Sequence, residues 1–532
     1  MPVRRHALAL ALASALTIPT AGSAAVGDIT EFDVGGPRPM AIANGPDGNL
    51  WIAQYTDLGP GIGASAIGRV TPAGSYSQLT AGITPNAGTE AIAAGPDGNM
   101  WFTQRFAPVP LLARATTQGV VTDVASLPGA AGPMPITSGP DGNMWFANGT
   151  SISRSTMAGA VTDFPLGGIF VESVVAGPQN ALWSVDTAGP VARTTTTGVT
   201  STVADLTAAA RPTAIAAGPD SNLWVVLRDA NQIARVTTGG VTTTYANPTA
   251  FGIRVGLTAG ADGALWFGTG AGRVGRISTQ GTITEYVIPR AGAEAGAIAS
   301  GPDGNIWFVD GPGSKVGRVL TGVTPSSTAA PVVSGTPKVG QVLTVSNGTW
   351  NHVPTGYAYS WQRCSSAAGA GCSGISGQRA STYTVTRDDV GKFLIASVTA
   401  TSLNGPSQAS TAAAVQVASL PKLTVTWSRT KTKRKKATVT ALVTPRVGVS
   451  GYRMTALLTS GPNAYRPDAN TRSGRCVAVR VEAATTKKGK QPRMVRRQRC
   501  TISLPIGAWS VMAGGWKGTE LLTYTSKAFR IR

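Results

Sequence analysis

This chain of 532 residues contains seven copies of a short sequence repeat, called the phrase below. Acidic and amide residues recur at two positions relative to it. Glu90 and Glu172 each stand two residues before an apolar run. Five others follow the tryptophan of the phrase by three residues: Gln54, Gln104, Asn148, Asp186 and Asp310. Carboxylates and amides gathered at one rim could hold a divalent cation or a sugar. A hydrated polar rim without a ligand is the alternative reading of the same residues.

The repeated phrase predicts the elements that must position these residues. It consists of an apolar run, a Gly-Pro-Asp-Gly-like turn and a tryptophan, and its copies end at Trp51, Trp101, Trp145, Trp183, Trp224, Trp266 and Trp307. Successive tryptophans lie 50, 44, 38, 41, 42 and 41 residues apart, which is the length of a four-stranded propeller blade. We therefore expect a seven-bladed β-propeller over residues 25–322, with the acidic and amide residues at one mouth of its channel.

A second set of charges belongs to the opposite face of the predicted ring. The third strand of each blade carries an arginine: Arg69, Arg114, Arg154, Arg193, Arg235, Arg276 and Arg318. Six turns carry an aspartate: Asp47, Asp97, Asp141, Asp220, Asp262 and Asp303. Because both sets follow the repeat, we expect them to pair structurally and not to form seven separate sites.

The number of fourth strands predicts how the ring closes. One such strand, Ile29-Thr30-Glu31-Phe32, precedes the first blade, and nothing like it follows Arg318. The N-terminal strand should therefore complete the last blade and cover an edge that would otherwise stay unpaired.

Blade one contains an insertion on the side of the mouth. Trp51 lies 18 residues before Arg69, whereas the equivalent interval is 9 to 13 residues in the other blades. The sequence predicts a loop over Tyr55 to Ser65 that covers the mouth, and the glycines at 59, 61 and 63 would let it move.

The first 24 residues have the order of a secretory signal. Arg4 and Arg5 precede an apolar core from Ala7 to Ile18, and small residues follow. The core is shorter than the ~20 residues that a membrane span needs, and no later segment is apolar enough to span a bilayer. We expect a secreted or cell-envelope protein without a transmembrane segment.

Two further domains are predicted after the propeller. Residues 323–420 comprise a linker and short alternating strands, which fit an immunoglobulin-like β-sandwich with Trp361 in its core. A bond between Cys364 and Cys372 would close a hairpin in this module. A zinc site is not expected, because neither cysteine pair has CxxC spacing and the two histidines of the chain are His6 and His352.

The last domain, residues 421–532, holds all of the net charge. It contains 24 basic and three acidic residues, a balance of +21 that equals the charge of the whole chain. Two basic turns are predicted between alternating strands, and Cys476 and Cys500 are equidistant from Lys488, which suggests a cross-strand disulfide. The candidate residues for binding a polyanion are Lys431, Lys433, Arg434, Lys435, Lys436, Lys487, Lys488, Lys490 and Arg493.

An acidic cell-envelope polymer or glycan is the expected partner of this basic domain. A merely solubilising surface is an equal alternative. Sequence-specific binding of nucleic acid is not expected, because no helix-turn-helix or zinc-finger spacing is visible in an exported chain.

The propeller resembles the virginiamycin B lyase (streptogramin lyase) family. The resemblance covers about residues 28 to 320 and rests on the phrases Gly-Pro-Asp-Gly-Asn-Leu-Trp, Ile-Gly-Arg-Val and Ile-Thr-Glu-Phe. It implies that active relatives open the lactone of the antibiotic by elimination, with magnesium as cofactor and a histidine as base. The family often has this histidine two residues before the inner-strand isoleucine. Here those positions are Met40, Glu90, Met134, Glu172, Thr213, Val255 and Gly296.

Without a histidine in the propeller, histidine-based elimination cannot be carried over from the family. Glu or Asp could act as base only with a raised pKa. The expected fold is all-β, a seven-bladed β-propeller followed by an immunoglobulin-like β-sandwich and a basic β-rich C-terminal domain. The expected function is binding or scaffolding. A magnesium-dependent lyase or a hydrolase at the mouth is the alternative, and a purely structural envelope protein is a third possibility.

Overall fold

A computed structural model of the chain describes residues 25–531, apart from residues 60–61, 108, 129–133, 167–169, 250–251, 408, 419–424, 433–435, 444–450, 461–470, 483–493, 506 and 518–519. The predicted signal at residues 1–24 lies outside the described residues. Within the described parts, no helix has the length and apolar character needed to cross a membrane. The chain divides into two compact units, of which the first contains residues up to 331 with 347–358 and 398–410, and the second contains 332–346, 359–397 and 411–532.

The first unit contains the propeller. Its first strand is β1 (Ile29–Asp33). Blades one to three consist of β2 (Pro39–Asn44), β3 (Leu50–Gly59), β4 (Ile62–Val70), β5 (Tyr76–Leu79); β6 (Thr89–Ala94), β7 (Met100–Gln104), β8 (Leu111–Ala115), β9 (Val121–Ser126); β10 (Ile136–Ser138), β11 (Met144–Asn148), β12 (Ser151–Ser155) and β13 (Val161–Pro165). Within each blade the strands pair in chain order.

Blades four to seven repeat the arrangement. They consist of β14 (Val171–Gly177), β15 (Ala181–Asp186), β16 (Pro190–Thr195), β17 (Thr200–Asp205); β18 (Pro212–Ala217), β19 (Leu223–Leu227), β20 (Gln232–Val236), β21 (Thr242–Ala246); β22 (Ile253–Ala259), β23 (Leu265–Thr269), β24 (Arg273–Ile277), β25 (Ile283–Val287); β26 (Ile298–Ser300), β27 (Ile306–Asp310) and β28 (Lys315–Val319). Together with β1 these strands form seven four-stranded antiparallel sheets among the residues described. Short 3-10 turns lie at Pro178–Asn180 and Ala208–Ala210.

A turn aspartate holds the hairpin together in the blades that have one. In blade five, Oδ1 of Asp220 accepts a hydrogen bond from Nε1 of Trp224 at 3.0 Å, and Oδ2 accepts one from Nε of Arg235 at 2.8 Å. Because the tryptophan is fully buried, its indole N–H needs this acceptor. The expected pairing of turn aspartates with third-strand arginines is confirmed in blades one, two, three, five and six. Blade four has no aspartate in its turn, and there Trp183 donates to the carbonyl oxygen of Pro178 at 3.0 Å.

The ring closes as the strand count predicts. β1 pairs antiparallel with β28, from Ile29 opposite Val319 to Asp33 opposite Lys315. Phe32 stacks on Trp307 of the last blade with ring centroids 5.5 Å apart. The same stack joins the fourth and second strands of blade six, where Tyr286 lies 5.5 Å from Trp266. The N-terminal strand therefore takes the place of the fourth strand of blade seven.

Short strands follow between residues 323 and 418. They are β29 (Ser326–Ala329), β30 (Val333–Ser334), β31 (Val342–Val345), β32 (Thr349–Asn351), β33 (Gly356–Cys364), β34 (Ser373–Gly374), β35 (Thr382–Thr384), β36 (Phe393–Ser402), β37 (Gly405–Pro406), β38 (Ser410–Thr411) and β39 (Val415–Gln416), with a 3-10 turn at Arg387–Asp389. β31 lies between β30 and β35, β33 pairs with β34, and β36 pairs with β37 and β39. The immunoglobulin-like assignment remains a prediction.

Two predictions for residues 323–420, the buried tryptophan and the disulfide, are confirmed in the second unit. Trp361 is buried and packs against Tyr383, with ring centroids 5.4 Å apart. A disulfide joins Cys364 and Cys372 at the end of the β33–β34 hairpin. Asp389 is also buried there, and its oxygens accept hydrogen bonds from Nε of Arg363 at 2.6 Å and from the hydroxyl of Tyr383 at 2.7 Å.

The basic region forms one sheet of seven long strands, also in the second unit. They are β40 (Val425–Thr432), β41 (Lys436–Val443), β42 (Gly451–Ser460), β43 (Thr471–Glu482), β44 (Met494–Pro505), β45 (Gly507–Lys517) and β46 (Glu520–Ile531), paired in the order β40, β41, β44, β43, β42, β45, β46. The register sets Cys476 opposite Cys500, as their symmetric spacing predicts, and the disulfide itself stays a prediction.

The strands that flank both predicted basic turns in the sequence are paired with each other. Thr432 is opposite Lys436 in β40 and β41, and Glu482 is opposite Met494 in β43 and β44. Residues 433–435 and 483–493, which carry most of the polyanion-binding candidates, lie outside the described residues.

Candidate functional site

The mouth of the channel is built from strand ends. In blade one, Pro39 at the start of the inner strand is opposite Gln54, and in blade two Thr89 is opposite Gln104. The start of an inner strand and the end of the following strand therefore lie at one face of the ring in each blade. This is the face on which the sequence places the acidic and amide candidates.

Glu90 lies at this face in an ion pair with Arg105, a residue that the sequence analysis does not select. The Nη1 of Arg105 is 3.2 Å from Oε1 of Glu90, and the two side chains are 32% and 25% exposed. Oε2 of Glu90 is buried, and a hydrogen bond from the backbone of Met134 to this carboxylate acts to lower its pKa. Burial raises the pKa of Glu90 above its ordinary value, although Arg105 opposes this shift.

Glu172 belongs to the same electrostatic environment. Burial raises the pKa of Glu172, and Arg211, Arg105 and Arg228 oppose that shift. Arg105 thus acts on both glutamates, and the charge of Glu172 contributes to the raised pKa of Glu90. Asp186 also has a pKa raised by burial, and its Oδ1 accepts a hydrogen bond from the backbone N–H of Ala188 at 2.7 Å.

The other candidates at this face are occupied by structural contacts. Gln54 is fully buried, and its Nε2 donates to the carbonyl oxygens of Gly35 and Pro37 at 3.0 and 2.8 Å. Gln104 is also fully buried and donates to Oδ1 of Asp123 at 3.0 Å.

Asp310 and Asn148 likewise have partners within the propeller. Asp310 is fully buried in an ion pair with Arg290, which also lies 3.4 Å from Glu31 of the closing strand. Asn148 donates to Asp163 at 3.2 Å. Of the sequence candidates, Glu90, Glu172 and Asp186 therefore keep charge at the mouth, whereas Gln54, Gln104 and Asp310 hold the fold together.

The insertion in blade one is a hairpin and not a loose loop. β3 and β4 remain paired beyond the usual blade length, with Tyr55 opposite Ser65 and Asp57 opposite Gly63. Two hydrogen bonds tie this hairpin to the blade-two side of the mouth, from the N–H of Gly63 to Asn86 at 2.9 Å and from the N–H of Gly88 to Ser65 at 3.0 Å. Two of the glycines predicted to give motion, Gly59 and Gly63, instead belong to the strand ladder.

A cavity of about 400 Å³ lies between this hairpin and blade two. Its lining residues come from the inner-strand starts and second-strand ends of the two blades: Arg38, Met40, Tyr55, Thr56, Asp57, Gly88, Thr89, Glu90, Arg105 and Phe106. A volume of this size falls within the ~300–1,000 Å³ of small-molecule sites. Glu90 and Arg105 supply its paired charges.

An aromatic wall adjoins these charges, since the guanidinium carbon of Arg105 lies 5.1 Å from the centroid of the Phe106 ring. The rings of Tyr55 and Phe106 are 5.2 Å apart, and Phe106 is 52% exposed although it is a large apolar residue. Phe106 can lie here because Gly88 has no side chain, since a β-carbon on Gly88 would stand 2.2 Å from Cδ2 of Phe106. Arg105 and Phe106 directly follow Gln104 at the end of the second strand. This position is the signal by which the sequence could have indicated both as residues of the mouth.

The residues at the mouth do not fit a magnesium ion. Hard divalent cations need several oxygen ligands. Each glutamate here has guanidinium groups beside it, and no group of three Asp, Glu, His or Cys residues that could hold a metal occurs in the parts of the chain that the structure describes.

Comparison with known proteins gives one family. The virginiamycin B lyase family matches residues 21–170 and 172–338, more than half of the chain. A solved streptogramin B lyase is 28% identical, with 55% of this chain and 96% of that chain covered and a TM-score of 0.48. Selenomethionine-substituted virginiamycin B lyase from Staphylococcus aureus is 28% identical, with 55% and 99% covered and a TM-score of 0.49. No curated protein matches the chain.

Proposed function

Since the chain belongs to the virginiamycin B lyase family, we propose that its propeller recognises a small ligand at the channel mouth without the histidine chemistry of a lyase. The observation that carries this proposal is the Glu90–Arg105 pair in a lined cavity of about 400 Å³. The propeller keeps a shaped polar site, while the seven positions at which the family often places histidine hold Met, Glu, Thr, Val and Gly.

Binding requires less of this site than catalysis does. A general base must be within reach of the proton that it removes and must have a pKa near the working pH. The Arg105 guanidinium is already hydrogen-bonded to Glu90 and favours its charged, weakly basic form. A ligand only needs the shape of the cavity and its few polar atoms.

A lyase or hydrolase that uses a carboxylate base is the second candidate. The raised pKa values of Glu90 and Glu172 favour it, since a carboxylate becomes a stronger base as its pKa rises. Glu172 is then the better base, because the structure has no direct hydrogen bond from an arginine to its carboxylate among the bonds it describes.

Incubation of the full chain with a streptogramin B antibiotic separates these functions. Chromatography with mass spectrometry detects both reactions, because elimination opens the lactone without a change of mass and hydrolysis adds one water. We expect only the intact antibiotic, with or without magnesium chloride. Ring-opened product above the buffer control that disappears in Glu172→Gln would replace the binding function with the enzymatic one.

We also propose that the protein is exported and that its basic domain holds it to an acidic envelope polymer. The order of charge, apolar core and small residues in the first 24 residues supports export. The +21 balance of residues 421–532 supports attachment, and the strands on either side of each predicted basic turn are paired in the C-terminal sheet. Hairpin ends keep such charges in solvent, where phosphate or carboxylate groups can reach them.

Salt elution from isolated cell envelopes tests the attachment. Binding of cations to a polyanion releases counterions, so the retained fraction should fall steeply as salt rises. Replacing Lys433, Arg434, Lys435 and Lys436 together with Lys487, Lys488 and Lys490 by Ser and Gln should release the protein. Retention of that variant at low salt would show that these charges only make the surface soluble.

A further inference from the structure

We infer that the cavity between blades one and two binds a neutral saccharide, through the Glu90–Arg105 pair and the exposed ring of Phe106 beside it. This inference rests on the proposed binding function and gives its ligand a chemical class. It uses side chains that the sequence candidates omit, Arg105, Phe106 and Tyr55.

The charges of the lining favour a neutral ligand. Four charged side chains line the cavity: the cations are Arg38 and Arg105, and the anions are Asp57 and Glu90. They balance, so an anionic or a cationic ligand would gain as much repulsion as attraction. A bare metal cation is a poor occupant as well, because the lining has two carboxylates and one of them is paired with Arg105.

The free hydrogen-bonding capacity fits a pair of neighbouring hydroxyl groups. Oε2 of Glu90 is buried, so the part of this carboxylate that a ligand can reach is Oε1, which accepts from Arg105 and has a further lone pair. A carboxylate only accepts hydrogen bonds and a guanidinium only donates them, whereas a hydroxyl does both. One hydroxyl of a vicinal diol can donate to Oε1 of Glu90 while the next accepts from a remaining N–H of Arg105. Charge-assisted bonds of this kind are the stronger ones.

Two lining hydroxyls already have hydrogen bonds within the propeller, and of the two only Thr56 keeps its O–H for a ligand. The hydroxyl of Thr89 lies within hydrogen-bond distance of the carbonyl oxygens of Gln54 and Ala66. The hydroxyl of Thr56 accepts from the backbone N–H of Arg38 at 2.8 Å. Glu90 and Arg105 therefore offer a ligand an acceptor and donors at one point of the lining, and the O–H of Thr56 adds a further donor.

The exposed part of the Phe106 ring fits the apolar face of a sugar ring. A pyranose has a face of C–H groups that packs on an aromatic ring, and its hydroxyls lie at its rim. Phe106 is 52% exposed and Met40 is 40% exposed, so both offer apolar surface to the cavity. Gly88 leaves room for the Phe106 ring, because any larger residue at this position would place its β-carbon 2.2 Å from the ring. A saccharide thus matches both the polar and the apolar sides.

Isothermal titration of the full chain tests this inference. The probes are glucose, galactose, mannose, N-acetylglucosamine and their β1–4 disaccharides, at concentrations up to about 10 mM. Glucuronate and glucosamine serve as charged counterparts. We expect saturable binding of at least one neutral sugar and binding of the charged counterparts that is weaker by about tenfold or more.

Four variants assign the binding to this cavity. Glu90→Gln and Phe106→Ala should each weaken binding of the neutral sugar by about tenfold or more. The matched controls are Glu285→Gln in blade six and Phe170→Ala, a ring that is 42% exposed and outside the lining, and both should bind as the unaltered chain does. Thermal melts of all four variants verify that they are folded.

Each remaining outcome overturns the inference in a recognisable way. If no neutral sugar binds, or if the charged counterparts bind better, the saccharide assignment is wrong. The binding function then survives only if a streptogramin B antibiotic binds intact and loses affinity in Glu90→Gln. If a sugar binds equally to Glu90→Gln and Phe106→Ala, it occupies another site, and this cavity is not the ligand site.

Discussion

The ring of Tyr55 lies directly against Gly63 across the blade-one hairpin. A β-carbon on Gly63 would stand 2.6 Å from Cε2 of Tyr55 and 2.8 Å from its hydroxyl oxygen. Tyr55 in turn contacts Phe106, with ring centroids 5.2 Å apart. The glycine therefore sets the position of one half of the aromatic wall of the cavity.

Substitution of Gly63 by alanine should weaken ligand binding with little effect on stability. The new methyl group must displace the Tyr55 ring, while the strand pairing of Asp57 with Gly63 does not need a glycine. We expect the affinity for a neutral sugar to fall about threefold or more, with the free energy of unfolding changed by about 1 kcal/mol or less. Titration and thermal melting measure the two effects.

Gly374→Ala is the matched control for this substitution. A β-carbon there would have no heavy atom within 4 Å, so neither binding nor the melting temperature should change. Unaltered sugar binding by Gly63→Ala would mean that the Tyr55 ring plays no part in the cavity.

The blade-one insertion shows where the sequence stops being informative. Its length and its place at the mouth are predicted correctly, since both follow from the spacing of Trp51 and Arg69. Its three glycines suggest motion, but the strands continue through it because backbone pairs such as Tyr55 with Ser65 remain possible. Whether a glycine gives freedom or close packing depends on its neighbour in space, which the sequence of one chain does not reveal.

Removal of the closing strand should destabilise the propeller. Deletion of residues 25–34 takes away the pairing of β1 with β28, the Phe32–Trp307 stack and the Glu31–Arg290 ion pair. We expect a loss of about 3 kcal/mol or more, seen as a lower melting temperature. Phe164→Ala removes the equivalent stack on Trp145 in blade three without opening the ring, and it should cost clearly less. A deletion variant that melts like the unaltered chain would contradict closure by this strand.

Two carboxylates should change stability with pH in opposite directions. Burial alone would raise the pKa of Asp220, but hydrogen bonds from Asn222, Trp224 and Arg235 lower it below its ordinary value of 3.8. Its ionised form thus stabilises the fold above that value, and the contribution is lost as the pH falls through the lower folded-state pKa. Asp220→Asn should cost about 1–3 kcal/mol at neutral pH and progressively less below pH 3.8.

Glu90 has the opposite sign because burial raises its pKa above the ordinary value of 4.5. Ionisation of Glu90 then costs folding free energy at neutral pH, and this cost disappears below the ordinary value. Glu90→Gln should melt at or above the temperature of the unaltered chain at neutral pH, and the difference should shrink in acid. Thermal melts across this pH range measure both variants, and equal curves for the two would refute the assigned shifts.

The repeat is readable from the sequence, but the ligand site is only partly so. Trp224, Asp220 and Arg235 recur at fixed offsets because every blade uses the same contacts, so their structural role is visible in the pattern. Gln54 and Gln104 occupy the predicted face, yet they are buried against Gly35, Pro37 and Asp123. Those partners are not specified by the repeat, because they differ from one blade to the next. Phe106 is not predicted for a related reason. Its position depends on Gly88, which precedes the inner strand of blade two, whereas Phe106 follows the second strand.

The central claim, that the mouth holds a neutral saccharide between blades one and two, is tested most directly by the methyl resonance of Met40. Met40 lines the cavity and is 40% exposed, whereas Met100 in blade two and Met144 in blade three are fully buried. Spectra of the full chain labelled with methyl-13C methionine are recorded during titration with glucose, galactose, mannose and N-acetylglucosamine. We predict a saturable shift of Met40 with at least one sugar while Met100 and Met144 stay in place. A stationary Met40 resonance, or equal shifts of all three, would contradict the claim.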